Sequence, residues 1–570
     1  GGAGTVSQNS RVGTGVEKFR GAGLDLLLLF FVCAVISGWM YTRAWPAETR
    51  TLRAQFVEAQ IVSGGGLLPR AGMLSARRAG EPHGAREVLA RARVIDPKAG
   101  DAIERLLFFA VVGGGVGAAA LYPMVRGWRG RGRGKDRHLT GGRITSSFRL
   151  RARLGAERAG DQLLGRWPRK KQIKLGEISL PVKLETRHIL ITGTTRSGKS
   201  TAIRALLRMI RERGERAIVT DIKGDLMSAL FVQGDKLLSA FDLRGERWSP
   251  AAEVAGPWDA DAFAESAAVA GDERDKSWTR RTQTLIAAVF SRLLERGEAT
   301  NERLLYYLTR APLDELSALV SETEASVFFG MAREFTDSVR GGCGEALRAY
   351  KYLHPQAGID AFSIRKFVRD ETRQGWLWLP YSADQSTALR PLLATWIGAV
   401  ISAALSMTPD ESRRLWLVTD ELSSLGRVSN FIDGLARGAG FGLCSVAGIQ
   451  SVSQLRLDYG LDGSDVLLGC YGTHLVLRTP DEKTAKHMSG TLGGAVVERE
   501  EESRGDKGST VSTHRDPNYA LVHWSEIQTL PDLVGYLKLV GDYPVARVKI
   551  PRTKTVERLK PFIPRQASKA

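Results

Sequence analysis

Cysteine is scarce. The 570-residue chain has four, Cys33, Cys343, Cys444 and Cys470, far apart and in no CxxC or Cys/His spacing. That excludes a disulfide framework and a structural zinc site. Acidic side chains are outnumbered, 62 against 81 Lys and Arg, which leaves a formal net charge of +19. A surplus of this size points to polyanionic partners, nucleic acid or anionic lipid. Internal repeats are not apparent, and the LSGGQ-like signature of ABC-class transporters is missing. What is present is enough to fold: 43% hydrophobic and 25% charged residues exclude a largely disordered chain. The length fits about three or four domains.

Two apolar runs predict a membrane hairpin within an N-terminal anchor of residues 1–137, with spans at about 24–41 and 103–122. Trp39-Met40-Tyr41 is a poor cleavage site, which argues against a removed signal peptide. The block Arg126, Arg129, Arg131, Arg133, Lys135 and Arg137 follows the second span and reads as cytoplasmic. The segment between the spans is then periplasmic, and the chain is a multi-pass protein of the bacterial inner membrane with its larger part in the cytoplasm. Beyond Gly141 no further membrane-length apolar run is expected.

A short β-type run, Arg187–Thr192, leads into GTTRSGKST at Gly193–Thr201 and then a helical stretch. This is G-x-x-x-x-G-K-[ST] between strand and helix, the setting in which the motif cradles phosphate. Glycines at 193 and 198 let backbone amides wrap oxygens, with Thr194, Thr195, Arg196 and Ser197 completing the loop and Thr201 following it. The helix start adds its positive dipole end. Lys199 is expected to reach the β and γ phosphates of ATP, and the Ser200 hydroxyl to reach Mg²⁺. The strand Leu415–Thr419 runs into Asp420 and Glu421. Asp420 is the candidate for the Mg²⁺ shell and Glu421 for the base that activates water. The strand before Asp221 also ends in an acid, but no second acid adjoins it, so it is the weaker metal candidate. Gln450 ends a third strand, Leu443–Gln450, 29 positions after Glu421, and could sense the γ phosphate or hold the water. His474–Thr479 reads as a fourth strand and Glu498–Asn518 as an exposed excursion. Between the phosphate loop and the acidic strand, residues 257–361 carry apolar spacings of three and four, which predicts an all-helical insertion. The nucleotide-binding domain is then 141–256 with 362–570, and the fold class is an α/β P-loop ATPase.

The order of ITGTTRSGKST, DIKGDLMSALF, the helical insert, GWLWLP, LVTDELSSL, AGFGLCSVAGIQSVSQL and DLVGYLKL resembles the type IV coupling proteins of conjugative DNA transfer, the TraD/TrwB-like family. The resemblance covers nearly the whole chain. It implies a RecA-like ATPase that forms a membrane-anchored homo-hexamer, translocates DNA, recruits a relaxase–DNA complex and passes it to a type IV secretion channel. By position, Lys199, Ser200, Asp420, Glu421 and Gln450 match the family's nucleotide site. Arg437 lies where the family places an arginine that acts across the subunit interface, although its neighbours Ala436 and Gly438 are less basic than usual. A chromosome-segregation-type translocase would be expected to show extra spans and a DNA-reading tail. A docking scaffold that binds nucleotide without hydrolysing it would not need Glu421.

Overall fold

The computed structural model describes residues 136–163, 171–269, 275–505, 508–552 and 557–565, with Phe108, Val111 and Val112. Apart from those three residues, the predicted spans at 24–41 and 103–122 lie outside the described residues. His138–Glu498 with His514–Ala570 forms the unit that carries the site, and it is described by itself.

Its centre is a ten-stranded sheet. The strands, in chain order, are β1 Ile144–Ser146, β2 Ile189–Thr192, β3 Arg216–Asp221, β4 Lys236–Leu237, β5 Leu377–Pro380, β6 Leu415–Thr419, β7 Leu443–Ile449, β8 Thr473–Val476, β9 Val534–Lys538 and β10 Val545–Lys549. In space they run β1-β10-β9-β8-β2-β7-β6-β3-β5-β4. From β8 to β4 every pair is parallel. β9 turns antiparallel on β8, and β10 on β9.

Both faces of the parallel strands are covered, so their sequences are continuously apolar. Side chains still alternate between the faces. Ile189, Ile191, Val219, Trp416, Val418 and Val446 enter one core with the phosphate-loop helix. Leu190, Ile218, Leu417 and Ala447 enter the other with Ile286, Phe290 and Trp396. That second core is shared with the segment predicted to be helical. Among its described residues, 259–352 are helices Asp259–Ala267, Lys276–Glu295, Asn301–Thr309, Leu313–Leu319 and Arg333–Ala346, with short 3-10 turns.

One expectation is corrected. The helix Ser386–Leu405 is long and apolar enough to cross a membrane by length and composition, and two thirds of its apolar window is buried in the core. The stretch read as an exposed excursion falls on two strands, Gly494–Gly505 and Gly508–Ala520. Charge and glycine content masked their strand character.

Candidate functional site

The parallel strands bring their C-terminal ends to one edge. β7 lies between β2 and β6, with Ile449 beside Thr192 and Ala447 beside Thr419. The loop after β2 is anchored at both shoulders. Gly193 N–H donates to Ile449 O at 3.0 Å, and Thr194 N–H to Arg478 O at 2.9 Å. Ser197 closes the turn through its N–H and hydroxyl, which donate to Thr194 O at 3.2 and 2.7 Å. A side chain at 193 would lie 2.4 Å from Ser197 Oγ and 3.0 Å from Leu477 Cβ, so glycine suits the turn best. Gly198 sits at φ +115° and packs against Leu533, whose N–H donates to Ser197 O at 2.9 Å. The DLVGY segment therefore buttresses the loop. Beyond it, the helix Lys199–Glu212 buries Ala202, Ile203, Leu206, Leu207 and Ile210 at spacings of three and four.

Lys199 is buried and its Nζ donates to Glu421 Oε2. To get there the lysine crosses β7 at Gly448, where a Cβ would sit 2.1 Å from Asp420 O and 3.1 Å from Lys199 Cδ. A glycine inside a strand marks such a close approach, and this signal in AGIQ was missed at the sequence level. Ser200 Oγ donates to Asp420 Oδ1 at 3.3 Å. Ser423 Oγ donates to the second Glu421 oxygen at 2.8 Å, a contact that no motif announced.

Carboxylates outnumber cations here. Burial raises the Asp420 pKa, with Glu421 adding to the rise and Lys199 opposing it. Asp221 is pushed up to about 7, chiefly by burial, with Asp420 adding repulsion. Its Oδ2 accepts from Leu226 N–H at 2.9 Å and Met227 N–H at 2.8 Å, so it caps the short helix Asp225–Leu230. Among the described residues no group of three His, Cys, Asp or Glu could hold a metal ion. A magnesium ion carried by nucleotide needs less: one or two protein oxygens beside phosphate. Ser200 and Asp420 are a hydroxyl and a carboxylate within hydrogen-bond reach, so the donor set fits.

Gln450 is exposed and directly follows Ile449, so it stands at the same sheet edge as the loop. Arg437 does not. It is exposed in the last turn of the helix Phe431–Gly438. That helix is tied at Leu435 O to Nε2 of His188, 2.9 Å away, and His188 precedes β2. Arg437 therefore lies by the N-terminal ends of the strands, opposite its own chain's phosphate loop.

A phosphate loop after one parallel strand and paired acids on the next strand but one define a RecA-like P-loop nucleotide-binding fold. The family model for the type IV secretion-system coupling protein DNA-binding domain matches residues 172–551, and the chain belongs to that family. It is 28% identical over 409 residues to the coupling protein TraD of Escherichia coli (strain K12), covering 69% of this chain and 56% of that one. It is 22% identical over 411 residues to the protein VirD4 of Rhizobium radiobacter, covering 66% and 58%. The chain thus spans little more than half the length of these curated relatives. Among solved structures, the conjugative coupling protein TrwBdeltaN70 superposes with a TM-score of 0.67 at 28% identity, covering 75% of this chain and 97% of that one. TrwB in complex with ADP and Mg²⁺ gives 0.66 at 29%, covering 75% and 98%.

Proposed function

We propose that the chain is a membrane-anchored hexameric ATPase that couples ATP hydrolysis to DNA translocation in conjugative transfer. In this reading it recruits a relaxase–DNA complex to a type IV secretion channel, from the bacterial inner membrane with the ATPase part in the cytoplasm. One observation carries the proposal: Lys199 and Ser200 reach across β7 to Glu421 and Asp420, which supports phosphate, metal and water chemistry at one point. TrwB bound to ADP and Mg²⁺, and to an ATP analogue, supports nucleotide as the ligand. The family's DNA-binding description and the +19 charge support DNA as the partner. We assign residues 141–256 and 362–570 to the nucleotide domain, 257–361 to the inserted helical domain and 1–137 to the anchor.

In this mechanism Lys199 and the loop amides hold the β and γ phosphates. Ser200 and Asp420 would hold Mg²⁺, which when bound neutralises charge on the transferring phosphoryl group. Glu421 orients and deprotonates the attacking water, with Ser423 fixing its other oxygen. Gln450 senses the γ phosphate. Arg437, remote from its own loop, acts on the site of a neighbouring subunit. The full chain in detergent tests this directly, by ATP hydrolysis with and without DNA measured beside particle mass. The expected result is DNA-stimulated turnover in a hexamer. Binding of ATP without any turnover would sink the ATPase and favour a docking scaffold.

A further inference from the structure

The proposed base, Glu421, is held by a residue that is itself held from behind. Ser423 gives its hydroxyl to Glu421 Oε1 at 2.8 Å, and its carbonyl accepts from Arg390 Nη2 at 2.8 Å. Arg390 is the fifth residue of the helix Ser386–Leu405. Its Nη1 is 3.4 Å from Asp458 Oδ1. Asp458 stands one helical turn beyond Gln454, whose Oε1 lies 3.2 Å from the Ser423 hydroxyl. Both belong to the helix Val452–Gly469, which begins two residues after Gln450. The arginine stem also passes over the loop at Gly426, where φ is +70° and a Cβ would come 3.3 Å from Arg390 Cδ.

Resting on the reading of Glu421 as the base, we propose that Arg390 is a positioning residue for it. Arg390 clamps the loop after β6 to the two helices that flank it, and so sets the direction of the Glu421 carboxylate through Ser423. The planar guanidinium serves the Ser423 carbonyl and Asp458 together; a lysine ammonium is a point charge without that fork. A structural role explains less. The Arg390 side chain is 45% exposed and its contact with the 13% exposed Asp458 is long, at 3.4 Å, so the pair is partly screened and its contribution to stability is modest. Small misplacements of a reacting group, in contrast, cost catalysis heavily.

The test uses the full chain in detergent, with steady-state ATP hydrolysis and the affinity of a fluorescent ATP analogue read on the same samples. Arg390→Ala should lower kcat about 10-fold or more. KM and analogue affinity should stay within about twofold, because Arg390 does not reach the phosphate loop. Arg390→Lys should give an intermediate kcat, and it carries the test alone if the alanine variant fails to fold. An unchanged kcat in the variants overturns the assignment. So does a fall in kcat matched by an equal loss of analogue affinity, or a lysine variant equal to wild type. A wild-type chain that binds ATP and never hydrolyses it overturns the underlying ATPase reading instead.

Discussion

The parallel strands bury charge at both ends, and the two ends are built differently. At the N-terminal ends, Glu185 accepts from Arg213 at 2.5 and 3.0 Å and from Arg414 Nε at 2.9 Å. Glu215 accepts from Arg213 at 2.7 Å and from the Trp416 indole at 2.8 Å. Each of these buried carboxylates has a guanidinium partner. At the C-terminal ends, Glu421 pairs with Lys199 and Asp420 feels Lys199 and Lys223, while Asp221 adds a third carboxylate beside Asp420; burial pushes Asp221 and Asp420 toward the protonated form. A balanced network stabilises a fold. An anionic excess held out of water is destabilising by itself and becomes favourable only with a cation, which is how a nucleotide–metal site differs from a structural one.

The sharpest way to break this contrast is to remove the cation from the anionic end. Lys199→Ala should abolish ATP hydrolysis, about 1,000-fold or more, while the chain stays folded. Steady-state turnover beside a melting curve checks both halves. A variant that turned over normally would show that the loop is not the active one. Glu421→Gln should cut kcat by about 100-fold or more yet keep nucleotide affinity, since it alters a proton acceptor and not the phosphate cradle. Analogue binding together with single-turnover hydrolysis separates the two.

The balanced end should behave in the opposite way. Glu185→Ala leaves the Arg414 guanidinium buried without a carboxylate and Arg213 with Glu215 alone, and should cost about 3–5 kcal/mol of stability. Denaturant titration reads this directly. Nucleotide affinity of the fraction that remains folded should be unchanged. An equal loss of affinity would mean that the two ends of the strands are not independent.

These two ends were not equally legible in the sequence. The phosphate loop and the Asp420–Glu421 strand are local words: short, contiguous, and flanked by the elements that give them meaning. Their meeting was inferable because β2 and β6 belong to one parallel sheet. That β7 would lie between them, and that Gly448 would let Lys199 across, depends on strand order, which no local pattern encodes. Glu185, Arg213, Glu215 and Arg414 are four charged residues in four unremarkable segments, and only the fold makes them a network. Asp221 was passed over as a metal ligand for want of a neighbouring acid, and its carboxylate caps a helix instead. The apolar helix Ser386–Leu405 was hidden by Arg390 and Pro391 near its start, which break the run without breaking the helix.

The smallest effect should come from Asp221, and its sign follows from its environment. In the folded chain its pKa is pushed up to about 7, against an ordinary value of 3.8. Below the ordinary value the group is protonated whether the chain is folded or not, and the shift contributes nothing. As pH rises from there to about 7, the unfolded chain ionises while the folded one resists, so stability falls; above that range the loss is complete. Asp221→Asn cannot ionise, and its amide oxygen can still accept from Leu226 and Met227. The variant should therefore lose less stability than wild type between pH 5 and pH 8, by about 2–3 kcal/mol. Asp420 shifts in the same direction and remains in the variant, so the slope should shrink without vanishing. Melting curves across that range, recorded without magnesium or nucleotide, isolate the effect. Parallel pH profiles for the two proteins would mean that the anionic end is already neutralised by groups of its own, and the contrast between the two ends would disappear.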